Sequence, residues 1–326
     1  MNVGSTRRGG SVRAGLSMGR ESTRANRRRG RLLPYALILP AVLLETVVHL
    51  GPILAGIWTS LTRLTQLNIR DWTGAPVVWW DNYRSGLDPS GPIGGVLWET
   101  FLRTVAFTVL VVAASWALGM MAAYLVNTEF RGRAAFRALF LVPFAMPTFV
   151  TVIGWSFVFD RDDGALNHLL VDQTGVLDER PFWLIGGNAF WAMVVVAAWR
   201  LWPFAFLMLL AALRNVPGEL YEAGVLDGAS RWQQFRRITL PVIRPVNAVV
   251  ILIMGLWSFN EFTVPYVLFG PQPPESATLL ASLIYEHSFV NFNMGLGSAM
   301  NVLVLLFLMG VSVWYVRTFL PRTHDA

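Results

Sequence analysis

The 326-residue sequence contains no cysteine and no lysine. Without cysteine there is no disulfide, no thiolate metal site and no cysteine nucleophile. Without lysine the phosphate-cradling sequence G-x-x-x-x-G-K-[ST] cannot be written, so the chain is not itself a P-loop ATPase. Charge is also scarce: 14% of residues are charged, against about a quarter in globular domains. The four histidines, His49, His168, His287 and His324, lie apart without metal-ligand spacing. The serines form no nucleophile elbow. No catalytic residue and no metal site is expected, which leaves binding and transport as the functions to consider.

What fills the chain is apolar. Hydrophobic residues make up 54% of it, gathered into blocks at 33–59, 102–127, 138–159, 189–212, 246–268 and 297–320. Each is long enough to cross hydrocarbon, which takes about 20 residues per helix. The expected fold is all-α and polytopic, with six transmembrane helices in contact with membrane lipid. Residues 1–32 are rich in Arg, Gly and Ser with no hydrophobic period and read as a disordered cytoplasmic tail. They resemble a signal-peptide n-region, but the apolar segment that follows is too long and shows no cleavage site. Residues 321–326 read as a second cytoplasmic tail.

The arginines are segregated. They crowd the tail, the loop with Arg131, Arg133 and Arg137, and the loop with Arg214, Arg231, Arg236, Arg237 and Arg244. The alternate loops hold few, and one is acidic, with Asp160, Asp162, Asp163, Asp172, Asp178 and Glu179. The positive-inside rule then puts both termini in the cytoplasm. Topology accounts for the basic charge, and nucleic acid is not an expected partner. Alanine and glycine content agrees with a GC-rich bacterial genome and a bacterial cytoplasmic (inner) membrane.

The loop at 213–245 holds the most information. Pro217 suits a first helical position, and Glu219 and Glu222 set negative charge near a positive helix end. Asp227-Gly228 is a turn dipeptide. Ser230 with Gln233 is a capping box opening a second helix through Trp232, Phe235 and Ile238. Leu240-Pro241 and Arg244-Pro245 close the loop. The first helix is too short to span, yet carries Leu220, Tyr221, Ala223 and Leu226. Such a stripe packs either on its own bundle and the lipid surface or in a groove on a soluble partner.

On Glu222-Ala223-Gly224, Asp227-Gly228-Ala229 and Ile238-Thr239-Leu240-Pro241, the chain resembles the permeases of binding-protein-dependent ABC importers, in the carbohydrate (maltose-type) branch. It departs at Gly224, where that family usually has alanine. Asp81-Asn82-Tyr83, Leu141-Val142-Pro143 with Pro147, Trp199 with Pro203-Phe204, Phe259-Asn260-Glu261-Phe262 and Gly295 to Ala299 extend the resemblance over residues 33–320. The short form looks more like the glycerol-phosphate and trehalose-type relatives. The resemblance implies the type I ABC importer permease fold and a homologous second permease. It also implies two cytoplasmic ATPase subunits, which bind the ATP and Mg, and an extracytoplasmic solute-binding protein. This chain itself is expected to hold no cofactor. Glu222, Ala223, Gly224, Asp227, Gly228 and Ala229 are the implied coupling residues.

Two charges stand out inside spans, Arg200 and Glu261, at an insertion cost of about 2.5–3.5 kcal/mol each. They read either as an inter-helix ion pair or partner contact, or as part of a polar translocation path. By resemblance the sugar path is lined by Phe144, Thr148, Arg200, Leu201, Phe204, Trp257, Asn260 and Glu261. Aromatic faces suit sugar rings, and amide and carboxylate groups suit hydroxyls. Arg200 also admits an anionic substrate. The alternative class is an ion-coupled secondary transporter, for which broken helices or repeats are expected; the sequence shows neither. The loops at about 60–100, 160–188 and 269–295 are the candidates for gripping the binding protein.

Overall fold

The computed structural model describes Gly4, residues 34–35 and residues 37–320. The expected tails, 1–32 apart from Gly4 and 321–326, lie outside the described residues. The chain divides into two units, Met1–Trp58 and Thr59–Ala326. The first holds nearly all of α1 (Leu37–Ser60), a helix whose most apolar window is entirely unburied. Glu45 and His49 face each other one turn apart on it at 3.2 Å, beside a π-helical turn at Thr46–Leu50. Sequence reading passed over this intramembrane acid.

In the second unit, a short α2 (Asp81–Leu87) leads into α3 (Pro92–Asn127), the longest helix. It begins ten residues before the expected span because Glu99 and Arg103 dilute the apolar signal of its first turns. Arg103 donates to the Thr278 carbonyl at 3.3 Å, and the Leu280 N–H donates to the Thr104 hydroxyl at 2.9 Å. The charged end of the helix is thus tied to the loop above it.

α3 crosses α6 (Asn188–Arg214) to form the centre of the bundle. Phe107, Val111 and Ala123 from one helix, and Met193, Phe206 and Leu209 from the other, are buried there. The crossing is close because Gly119 faces Ala205: a Cβ at 119 would sit 2.6 Å from the Ala205 Cβ. Small residues at such crossings are how membrane helices maximise packing when hydrophobicity gives no preference for protein over lipid.

The third expected span is not one helix. α4 (Arg133–Ala145) and α5 (Thr148–Val158) meet at 94°. Pro147 favours the break, since proline disfavours the helical conformation at the residue before it, and Met146 is extended (φ −76°, ψ 140°). The fifth span is interrupted too: α9 (Arg244–Phe259) stops at Phe259 and α10 (Thr263–Phe269) starts at Thr263, leaving Asn260, Glu261 and Phe262 between them. Both interruptions correct the expectation of unbroken helices.

The remaining elements are α7 (Gly218–Leu226) and α8 (Arg231–Gln234) in the loop, α9 (Arg244–Phe259), α10 (Thr263–Phe269), α11 (Leu280–Tyr285) and α12 (Met294–Phe319). α12 shows Leu305, Leu306, Met309, Val313 and Trp314 outward, a lipid-type surface. Among the described residues five helices are long and apolar enough to span, and six segments cross if the bent pair counts as one. Asn82 donates to the carbonyls of Ser60 and Thr62, both at 2.9 Å, and the Tyr83 and Ser60 hydroxyls meet at 2.6 Å. The Asp81-Asn82-Tyr83 motif is therefore a clamp on the 60–64 segment.

Candidate functional site: an interrupted-helix cavity and a self-capped loop

Two sites emerge, at different levels of the bundle. The first is built on the interruption between α9 and α10. Freed from a helix, the backbone at 260–262 turns Glu261 inward, where it is only 7% exposed. A lone carboxylate there would carry a large desolvation penalty, and two groups offset it. Arg200 on α6 forms a short hydrogen-bonded ion pair with Glu261 Oε2, and Glu261 Oε1 accepts the Val264 N–H at 3.0 Å. Arg200 also donates to the Thr148 hydroxyl at 3.3 Å, at the very start of α5. One charge pair therefore joins the fourth span to both interrupted spans.

Beside the pair lies a cavity of about 550 Å³, walled by Phe144, Arg200, Leu201, Trp257, Asn260 and Glu261. Six of the eight expected path residues thus converge. Thr148 and Phe204 do not line it: Thr148 orients Arg200, and Phe204 backs Trp257 at 4.9 Å between ring centroids and Phe144 at 6.2 Å. Sequence reasoning missed Ser258, Phe262 and Thr263, which join the wall. Their signal was available, since they flank Asn260-Glu261, but only the interruption turns them to one side. The buried Ser258 Oγ and Arg200 Nε have no hydrogen-bond partner among the described residues. Buried polar atoms are rarely left so.

The second site is the loop at 213–245. Pro217 is not the first helical residue, as expected, but the extended cap before it (ψ 131°); α7 starts at Gly218. The helix ends in a Schellman motif. Gly228 is left-handed at φ +74°, its N–H reaches the Val225 carbonyl at 3.0 Å, and the Ala229 N–H reaches the Gly224 carbonyl at 2.8 Å. The spacing from Gly224 to Asp227-Gly228-Ala229 thus has a direct mechanical meaning. Gly228 is needed for its positive φ, and within the described chain nothing lies within 4 Å of a Cβ there.

The Ser230–Gln233 capping box forms in both directions, at 3.4 and 2.7 Å. The expected second helix does run through Trp232, Phe235 and Ile238: α8 passes without a break at Gln234 into a π-helical turn at Phe235–Thr239. That wider turn presents Ile238 to Gly224, whose Cβ would lie 2.9 Å from Ile238 Cδ1. Tyr221 bonds the Thr239 hydroxyl at 2.9 Å. The expected apolar stripe is divided. Tyr221 and Gly224 face the loop's own return segment, while Leu220, Val225 and Leu226, the last 88% exposed, point out with Trp232. Glu222, Ala223 and Asp227 are exposed on the same helix.

Membrane-crossing helices, a central cavity at helix breaks and a prefolded helix outside the membrane define a polytopic solute permease. The chain belongs to the family of binding-protein-dependent transport system inner membrane components, which matches residues 115–325. It is 32% identical over 283 residues to the inner membrane ABC transporter permease protein YcjO of Escherichia coli (strain K12), covering 86% of this chain and 92% of that one. It is 29% identical over 287 residues to the trehalose/maltose transport system permease protein MalF of Thermococcus litoralis, covering 87% and 92%. Its fold matches a permease chain in the crystal structure of a bacterial ABC transporter that imports the acidic polysaccharide alginate, at 18% identity and a TM-score of 0.70 over 90% of this chain and 97% of that one.

Proposed function

We propose that this permease passes an uncharged carbohydrate through the cavity beside Arg200 and Glu261, from an extracytoplasmic binding protein to the cytoplasm. The observation that carries the reading is the composition of the wall. Trp257, braced by Phe204, supplies a flat face for a sugar ring, and Asn260, Ser258 and Thr263 supply hydroxyl partners. The relatives named for trehalose and maltose support the substrate class. Arg200 is already matched by Glu261, so the anionic alternative lacks a free charge.

In this reading the loop at 213–245 faces the cytoplasm with both termini. α7 docks through Leu220, Val225 and Leu226 into a groove on one of two ATPase subunits, which bind the ATP and Mg. A second, homologous permease completes the path. This chain performs no chemistry and holds no cofactor. Closure of the ATPases moves α7 as a rigid body, because its caps are internal, and that movement is transmitted to α6 and α9 on either side of the loop. Glu222, Ala223, Gly224, Asp227, Gly228 and Ala229 act here, while the cavity residues, with Thr148 and Phe204 behind them, act at the solute.

The test is uptake of labelled saccharides by the complete complex in proteoliposomes. ATP-dependent uptake that Trp257→Leu lowers and Leu226→Glu abolishes is the expected result. Uptake that proceeds without any ATPase and follows an ion gradient would establish the secondary-transporter alternative instead.

A further inference from the structure

A second, smaller cavity of about 250 Å³ shares a wall with the first, and the shared residues are Asn260 and Phe262. It opens toward the end of the bundle where residues 270–293 lie. Its walls combine aliphatic side chains with four rings, Phe259, Phe262, Tyr285 and Phe289, and two amides, Asn260 and Asn301. From Phe262 a run of rings leads outward: Phe262 to Tyr285 at 5.1 Å between centroids, then Tyr285 to Phe289 at 5.2 Å. Phe289, the outermost, is 59% exposed.

Asn301 lines the same cavity as these rings. It lies seven residues into α12, about 10 Å from the helix start at 1.5 Å per residue. Its side chain is exposed and makes no hydrogen bond among the described residues. An amide at that depth against hydrocarbon is unfavourable and in membrane proteins marks a polar path. Asn260 spends its amide N–H on the Leu256 carbonyl at 2.9 Å, which leaves its carbonyl oxygen for another donor. Flat rings and two amides lining one cavity form the wall chemistry of a pyranose site.

We propose that this chamber is a second sugar-ring subsite, so that the permease holds a saccharide of two or more rings across Asn260 and Phe262. The inference rests on the carbohydrate reading above and extends it to chain length. A single-ring sugar uses the Trp257 cavity alone. A longer one places its next ring over Tyr285 and Phe289 with hydroxyls on Asn301.

The experiment uses the complete complex in proteoliposomes, with glucose, maltose and maltotetraose as labelled probes, and the variants Phe289→Leu, Asn301→Leu and Trp257→Leu. Phe289→Leu keeps an apolar side chain but removes the flat face, at an exposed position where folding is insensitive. The expected result is a KM for the two- and four-ring probes raised about five- to tenfold by Phe289→Leu, the size of one lost aromatic contact. Asn301→Leu moves KM in the same direction, maximal rate is unchanged, and glucose is unaffected. Trp257→Leu weakens all three probes. Unchanged KM in Phe289→Leu and Asn301→Leu, or equal shifts for every ring count, overturns the subsite while leaving the carbohydrate reading intact. If the unmodified complex takes up none of the probes, the carbohydrate reading falls and the subsite with it.

Discussion

Arg200 and Glu261 show how two residues that are unfavourable singly become compatible with a membrane interior together. Each was visible in the sequence as a charge in an apolar block, but not that they meet, since 61 residues separate them. Removing one partner leaves the other buried and unmatched. Glu261→Met or Arg200→Met should therefore destabilise the folded permease by about 3–5 kcal/mol. The double variant Arg200→Met/Glu261→Met should recover most of that loss. Thermal unfolding of the purified complex in detergent gives the double-mutant cycle, and strict additivity would remove the coupling. Gly224 and Gly228 make a second contrast. Gly228→Ala must adopt the left-handed conformation, at about 1–2 kcal/mol, and should reduce co-purification of the ATPase. Gly224→Ala meets only the tip of Ile238, a flexible side-chain end that can give way. It also gains helix propensity of about 1 kcal/mol, so it should be near neutral. Gly224→Leu should not be.

At the scale of elements, the spans were legible because six apolar blocks of sufficient length leave little choice. The interruptions were not. Pro143 and Pro147 both stand in the third block, and proline signals a kink without saying how large. Pro143 is accommodated inside α4, whereas Pro147 sits at a 94° turn. The difference is tertiary: α5 departs in a new direction and is held there by the packing of Val152 and Thr151 in the bundle. Pro147→Ala relaxes the restriction on Met146 and should let α4 continue past residue 146. That would displace Thr148 from Arg200, so transport should fall severalfold with membrane insertion unchanged. Uptake assays at matched expression check this, and full activity would show that the bend does not depend on the proline.

Along the second unit, arginine-rich loops at 131–137 and 214–244 alternate with an acidic one at 160–179. In the acidic loop Asp172 accepts from His168 at 2.8 Å and from Arg180 at 2.6 Å. Those hydrogen bonds, His168 first and Arg180 next, hold its carboxyl below the usual carboxylate range. A depressed carboxylate adds stability above its unfolded value near 3.9 and loses it as pH falls through the lower folded value. Hydrogen exchange in residues 160–187 should thus be unchanged by this group between about pH 5 and 8, and should rise only in stronger acid. A rise already at pH 6 would point to a different group. Orientation has an unusually clean test, since the chain has no cysteine. With impermeant maleimide, Asp163→Cys should label from outside intact cells, and Arg236→Cys only after the membrane is opened.

The sequence alone determined the six apolar blocks and the caps of the loop at 213–245. Each depends on composition over a window, or on capping residues within a few positions of one another. The Schellman end and the Ser230–Gln233 box of the 213–245 loop are local in that sense. The structure decided where helices break, which charges pair, and that Asn260 and Phe262 form the wall between two chambers. Those outcomes depend on which distant side chains share a space, and no spacing along a single chain encodes that directly.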